Sequence, residues 1–534
     1  MDYQQTIALY QPQTPEEEQV KKRTLAEIAA VGDAILTRAQ TACHLTVSGF
    51  ILNPAMDQTL MVHHHIYQSY CWTGGHADGE KDLLQVALRE AREETGIQRV
   101  YPLTQGAISL DILSVPEHQK HGAAVAAHKH ITVTYGLIAP EDQEIQANLA
   151  ENSSVAWLSL ERLAECCQEL HMLPIYAKLQ QRMQEIAAAK REIMPELPEA
   201  LLPWYRQHAR VLPWRQNPTP YQVWVSEIML QQTRVEAVKS YYQRFLQQLP
   251  DIQALANAPE EQLLKLWEGL GYYNRVRNIQ KAAKEIMTRY HGEFPQTLAE
   301  IKALPGIGEY TAGAIASIAL GQPVPAVDGN VLRVISRLTD SWDDISKTKT
   351  KQRITSALAA IYPQTHCGDF TQSLMELGAI ICLPNGEPLC GECPLQAECR
   401  SRQNGTYGEL PIRPQKKQRK IQQKTVFLLT CRGKIALRKR EEKGLLAGLW
   451  EFPNVSGFLT KAEMVDQLAE WQLGLVKMGK KKKAKHIFTH IEWQMVGYRL
   501  ECETENQLFT WLSWEDLQGQ MALPTAFKPF FTLL

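Results

Sequence analysis

Long apolar runs are missing from this 534-residue chain. No stretch of about 18 or more uncharged apolar residues occurs, so nothing in it reads as a membrane-spanning helix. The opening MDYQQTIALYQPQTPEEEQVKKR lacks the basic-then-apolar layout of a secretory signal. Net charge is nearly absent too, at −1, and 44% hydrophobic with 22% charged residues excludes a disordered or collagen-like chain. Cysteine is sparse, at eleven, yet four of the eleven crowd into one short stretch. An odd total with that clustering points to a metal site in a reducing, cytoplasmic setting and away from a disulfide framework. At roughly 150 residues per domain, the length predicts three or four domains.

The small net charge hides a division. Residues 1–195 carry 15 Lys and Arg against 24 Asp and Glu, a net of −9, and residues 196–534 carry 42 against 34, a net of +8. The later part is therefore the one expected to meet a polyanion. Patterning divides the chain similarly. Residues 1–195 mix helices (16–38, 82–94) with strand-like runs (44–52, 59–65, 130–138, 155–158). Residues 196–400 read as almost wholly helical, with repeated caps and Pro/Gly stops. The polar, basic segment 401–424 reads as an extended connector, and 425–534 returns to strands (425–431, 434–439) with a helix over 460–470. The expected fold class is multidomain: α/β, all-α, linker, α/β.

In the first block, GGHADGEKDLLQVALREAREETGI (74–97) sets Glu90, Glu93 and Glu94 on one helical face. Like charges so placed repel unless a cation sits among them, and hard oxygen ligands favour Mg²⁺ or Mn²⁺ with a diphosphate substrate. Taken alone, the helix reads more plainly as a solvated charged face. Its flanks resemble the signature box of Nudix hydrolases. Arg89, Glu90, Ala91, Glu93, Glu94, Gly96 and Ile97 meet the closing pattern, and Gly74 and Gly75 the opening glycines. The resemblance implies a Nudix domain over 1–195 that cleaves a nucleoside diphosphate linked to another group, using metal-activated water. One position departs: Lys81 stands where the family has Glu, and neighbouring Glu80 would supply that carboxylate after a local shift. Glu151 is a further acid that could join the site, and the run His63-His64-His65 alternates through a strand, so at most every second ring faces one way.

The central block holds a second metal pattern. Cys382, Cys390, Cys393 and Cys399 form C-x7-C-x2-C-x5-C, which suits a [4Fe–4S] cluster or a structural zinc; spacing alone does not choose. Upstream, ALPGIGEYTAGAI (303–315) puts Gly306 and Gly308 between two helical stretches. This is a helix-hairpin-helix pattern, whose turn lets backbone N–H groups approach a phosphate. PVPAVDGNVLRV (323–334) places Asp328 where a helix N-cap is the plain expectation. Glu227 lies inside the largely apolar VWVSEIML (223–230), where a carboxylate is expected to titrate high and can act as a general acid.

With LPWR (212–215), VSEIMLQQTRVEAV (225–238) and GLGYYNRVRN (269–278), these segments resemble adenine DNA glycosylases, the MutY family, over 196–534. The resemblance implies a [4Fe–4S] cluster and removal of adenine mispaired with 8-oxoguanine in double-stranded DNA. It assigns Glu227 to protonating adenine and Asp328 to stabilising the positive sugar, with Tyr310 and Asn330 beside them. Leu212, Trp214, Arg215 and Val235 would line the pocket for the flipped base. Gln232 and Tyr272 would wedge into the base stack, and Thr233 would contact the lesion pair. Endonuclease III-like relatives carry Lys at the position of Tyr310; an amine forms a Schiff base and tyrosine cannot, so a monofunctional enzyme is expected. The first cysteine gap has seven residues where six is common.

Through GLWEFP (448–453) and HIFTH (486–490), residues 425–534 resemble the same family's C-terminal, Nudix-like domain. That domain reads 8-oxoguanine with a Phe-Ser-His loop, here Phe488, Thr489 and His490, the Thr keeping the hydroxyl. Lys480–Lys483, with Lys485, read as a solvated loop that also attracts phosphate without specificity. The whole reads as a monomeric glycosylase with a Nudix hydrolase ahead of it, its substrate an oxidised nucleotide by analogy with enzymes that destroy 8-oxo-dGTP. Two rival readings keep part of the pattern: a non-catalytic nucleotide sensor at the N-terminus, or a non-enzymatic iron–sulfur DNA-binding protein.

Overall fold

Alternating apolar residues make strand Cys43–Leu52 the centre of the first sheet. Leu45, Val47 and Ile51 face one side and Phe50 and Leu52 the other, all fully buried. The strand runs parallel to His128–Ile138 and antiparallel to Gln58–His64 and Thr73–His76. Asn152–Ser159 extends the sheet beyond Gln58–His64, and Ser109–Val115 pairs with the far side of His128–Ile138. Helix Leu83–Thr95 buries Leu83, Val86, Ala87 and Ala91 with one set of strand residues. Helix Leu173–Lys190 buries Tyr176, Leu179 and Met183 with the other. The result is the expected helix–sheet–helix sandwich.

The computed structural model describes all residues except 39–41, 116, 121–122 and 415–418. The chain forms two compact units: Met1–Gln207 with Val327–Ile361 and Ser373–Pro414, and His208–Ala326 with Tyr362–Gln372 and Gln415–Leu534. The helical stretch expected as one block over 196–400 is thus shared between units. The cause is apolar. In the first unit Trp342 and Leu410 are buried in the same core as Phe50 and Tyr176. Polar groups reinforce it: Lys190 pairs with the fully buried carboxylate of Asp340 at 2.5 Å, and Arg191 with Asp343 at 2.9 Å.

The segment 401–424 is not an extended connector where it is described. Arg400–Gln403 forms a helical turn, Ser401 and Thr406 are fully buried, and Asn404 and Thr406 both donate to Asp340. Lys420–Lys424 already belong to strand Lys420–Cys431. The segment is polar because its polar groups have partners inside the protein; residues 415–418 of it lie outside the described residues.

One further knot ties the first unit together. Arg182 donates to both carboxylate oxygens of Glu17 at 2.6 and 2.7 Å, to Tyr10 at 3.0 Å, to Gln13 at 3.1 Å and to the Ile108 carbonyl at 2.8 Å. Arg182 is 4% and Glu17 5% exposed, so this is a buried ion pair.

In the second unit, helices pack around Trp224, Phe245 and Trp267, and Leu449 and Ala522 join that core. Its sheet repeats the first one's plan, with Lys420–Cys431 parallel to Ile491–Cys502 and Leu475–Ile487 at one edge. Among the described residues no helix is long and apolar enough to cross a membrane.

Candidate functional site

Helix Leu83–Thr95 starts at Asp82, whose side chain accepts from the Gln85 N–H, and stops at Gly96 in the left-handed conformation. Between those caps it carries the three glutamates. Glu94 is buried and accepts from the Gly74 N–H at 3.0 Å; burial, then the charges of Glu90 and Glu151, push its pKa up to about 8. Glu90 is also raised, first by burial and then by Glu93 and Glu151, against the pull of Arg89. A Cβ on Gly75 would lie 2.5 Å from the Glu90 carboxylate, so a side chain there would push that carboxylate from its place. Buried carboxylates raised by burial and by one another's charge are a donor set for a divalent cation: Glu90 and Glu94, with Glu93 one turn away on the same helix face and Glu151 near, fit Mg²⁺ or Mn²⁺.

The Lys81 departure leaves this set intact. Lys81 turns to Asp33 at 2.6 Å, while Arg89 bonds Glu80 and Glu90 and reaches Glu93 at 3.9 Å. Glu80 thus lies beside Arg89. The three histidines 63–65 serve their own turn: His63 Nδ1 meets Ser153 at 2.7 Å, His64 Nδ1 accepts from the Ile66 N–H, and His65 meets the Leu149 carbonyl. Because a cation relieves this repulsion, Mg²⁺ is expected to raise the unfolding temperature of the chain, and Glu94→Gln to remove that increment. A thermal-shift titration checks it; an equal increment in the variant would rule out Glu94 as a ligand.

In the same unit Asp328 caps helix Gly329–Leu338, accepting from the Val331 N–H at 2.7 Å and from the Asn330 amide at 2.8 Å. Burial of its carboxyl raises its pKa, and those two hydrogen bonds oppose the rise. Arg333 donates to Asn330 at 2.9 Å, to the Gly378 carbonyl at 2.6 Å and to the Cys382 carbonyl at 2.8 Å. Arg333 thereby ties the cysteine loop to the residues around Asp328, and Gly378 has no room for a side chain, since a Cβ would sit 2.6 Å from that of Asn330. The four cysteines converge: burial pushes Cys393 up to about 12, and Cys382, Cys399 and Cys390 add to the rise. Arg337 donates to Cys382 Sγ at 3.4 Å. Four thiols at one place, with a cation beside them, fit a thiolate-bound [4Fe–4S] cluster, which those cysteines would hold.

In the second unit Glu227 is 6% exposed on helix Pro220–Leu230, and Tyr310 donates its hydroxyl to Glu227 Oε2. The hairpin is formed by helices Leu298–Ala303 and Glu309–Ala314; Gly306 adopts φ 78° against Asn278, and space around Gly308 is open. Gln232 and Tyr272 share the left-handed conformation, at φ 61° and 48°, and both are exposed. Tyr272 hydrogen-bonds Thr489, bringing Tyr272 and the C-terminal loop together. Phe488 packs edge-on to Trp493, leaving Thr489 and His490 exposed. Leu212 and Trp214 belong to the core, Trp214 edge-on to Tyr242, with Val235 partly buried against it; Arg215 donates to the Arg210 carbonyl, and Thr233 is half-buried.

Sequence reasoning missed Arg275. It donates to the carbonyls of Ile228 and Gln231, at the end of the helix bearing Glu227, and to those of Leu270 and Gly271 beside Tyr272. Burial lowers its pKa to about 10, and its charge complements the helix C-terminus. Its signal was present, as an Arg inside GLGYYNRVRN, but two of its four partners, Ile228 and Gln231, are far along the chain.

Residues 225–360 match the HhH-GPD superfamily of base excision DNA repair proteins, and residues 43–179 and 425–533 each match the NUDIX domain. The mouse adenine DNA glycosylase is 34% identical over 398 residues, 62% of this chain and 76% of its own length. The chain belongs to the adenine DNA glycosylase family. The enzyme of that name from Buchnera aphidicola subsp. Baizongia pistaciae is 35% identical over 295 residues, 55% of this chain and 82% of its own. A solved thermostable thymine-DNA glycosylase is 27% identical, covering 40% of this chain and 98% of its own, with a TM-score of 0.37. The chain is thus a base-excision glycosylase carrying a Nudix hydrolase domain ahead of it, and its family membership suggests the iron–sulfur cluster and the divalent metal that the cysteines and glutamates fit.

Proposed function

We propose that the chain removes adenine paired with 8-oxoguanine in double-stranded DNA, without a lyase step, and that its N-terminal domain hydrolyses oxidised nucleoside triphosphates such as 8-oxo-dGTP. The bond from Tyr310 to Glu227 carries the first part. A buried carboxyl held by a hydroxyl can deliver a proton to a departing base, and the position that would need an amine for Schiff-base chemistry holds a phenol. Glu227 protonates the adenine ring, Asp328 as carboxylate stabilises the sugar cation, and Asn330 and Arg333 hold Asp328 in place. Tyr272 and Gln232 enter the stack, Thr233 and the Phe488-Thr489-His490 loop read the lesion pair, and the exposed lysines of strand Leu475–Ile487 add salt-sensitive phosphate contacts. In the N-terminal domain Glu90, Glu93 and Glu94 would hold the cation that activates water.

Two assays on the full chain test this. With a duplex containing one A:8-oxoguanine pair, adenine release without borohydride-trapped covalent complex is expected; trapping would overturn the monofunctional reading. With Mg²⁺ and a nucleotide panel, turnover of 8-oxo-dGTP well above dGTP, lost in Glu93→Gln, is expected. Turnover of a different nucleotide sinks the oxidised-substrate reading, and turnover unchanged by Glu93→Gln favours a site other than these glutamates.

A further inference from the structure

Beyond the three glutamates, the N-terminal sheet gathers imidazoles that neither activity uses. His44 and His130 are register partners on parallel strands, and His76 pairs with Thr46 on the antiparallel neighbour. Side chains two apart on a strand share a face, so His44, His76, His128 and His130 meet above one side of the sheet. The ring centroids of His44, His76 and His130 form a triangle with sides of 4.9, 5.0 and 5.2 Å, and His128 lies 4.8 Å from His130 and 5.2 Å from His44. His44 is 5% exposed. One ligating nitrogen from each of His44, His76 and His130 lies within 4.8 Å of the others.

We propose that His44, His76 and His130 form a further metal site, distinct from the glutamates and from the cysteine cluster, for a borderline divalent ion of the zinc class, with His128 available as a fourth ligand. Tetrahedral Zn–N bonds of about 2.0–2.1 Å set ligand nitrogens about 3.4 Å apart, so rotation of the rings by an ångström or so closes the set. Imidazole ligands select zinc-like ions, whereas the oxygen donors on helix Leu83–Thr95 select Mg²⁺, so the two sites do not compete for one ion. His128 Nδ1 lies 2.9 Å from the Ala126 carbonyl, which can only accept, so this contact places a hydrogen on Nδ1 and turns Nε2 toward the other rings. That Nε2 lies 3.0 Å from His130 Nε2. A carbonyl that orients the far nitrogen of an imidazole is the usual support of a metal-binding histidine. The site also rests on rigid strands: Thr46 and Thr132, the next residues on the same face, are hydrogen-bonded at 2.9 Å.

The test uses the full chain with its cysteine-bound cluster intact, stripped of loosely held ions and titrated with Co²⁺ alone, then with Zn²⁺. One equivalent of Co²⁺ with a tetrahedral visible absorption band, displaced by Zn²⁺ and retained in Glu93→Gln, is the expected result. In the paired variant His76→Gln, His130→Gln the band is lost and Co²⁺ uptake falls by one equivalent, with circular dichroism unchanged. A band that survives this variant, or no band in the unmodified chain, overturns the proposal. Should the variant misfold, pulsed electron paramagnetic resonance of one Cu²⁺ equivalent on the unmodified chain decides: three or more coordinated imidazoles support the site, and one or none rejects it.

Discussion

Asp328→Asn is expected to slow adenine release by on the order of 10³-fold while leaving the fold and the binding of mispaired DNA intact. The choice of Asn separates charge from structure. Its side-chain oxygen still accepts from the Val331 N–H, and Asn caps helices as well as Asp, so helix Gly329–Leu338 starts as before. The negative charge proposed to face the sugar cation is gone, and with it the hydrogen bond accepted from the Asn330 amide, which the new amide nitrogen would face instead. Single-turnover release of adenine measures it, and a loss of less than tenfold would mean that Asp328 is a cap and nothing more. The pH dependence follows with a definite sign. Burial raises the pKa of Asp328 and the ionised form is needed, so release falls as pH drops, with its inflection above the usual aspartate value. Asn330→Ala removes a hydrogen bond that favours the carboxylate, and the inflection moves further up.

Arg182→Met is expected to destabilise the first unit by roughly 3–5 kcal/mol, because the buried Glu17 carboxylate loses its closest cation and keeps only Lys178, at 3.3 Å. Burial alone would raise Glu17; the hydrogen bonds and charge of Arg182 and the Gln13 N–H overcome it and hold the pKa down at about 2. A carboxylate lowered in the fold contributes stability that is present above its unfolded pKa near 4.5 and lost as pH falls toward 2. Calorimetry should therefore show an acid-sensitive transition in the unmodified chain, and a lower, less acid-sensitive one in Arg182→Met. Adding Glu17→Gln should recover much of the loss, since no charge is then stranded. A double variant no better than the single one would mean that Arg182 matters through its packing and its bonds to Tyr10 and Ile108.

What could be read in advance depended on range along the chain. Glu90, Glu93 and Glu94 are legible because a helix has a fixed period, and the cap at Asp328 because N-caps are local. The partner of Lys81 is not, since Asp33 reaches it only through the tertiary fold. The polar composition of 401–424 read as a linker because sequence cannot show that Asn404 and Thr406 meet a buried Asp340. The histidine triangle escaped for a related reason: strand alternation, applied to His63–His65, equally puts His128 and His130 on one face, but His44 and His76 join them only once the order of strands is known.

Trp342 and Leu410, set in one core with Phe50 and Tyr176, make the fusion more than a tether. A gene cut after residue 195 would strand Trp342 without cover and Asp340 without Lys190, in the part that carries Asp328 and the cysteine loop. A linker guarantees equal copies of two enzymes at synthesis; a shared core guarantees equal lifetimes. Unfolding of the Nudix domain would also uncover part of the glycosylase, so a cellular protease that clears one is expected to clear the other.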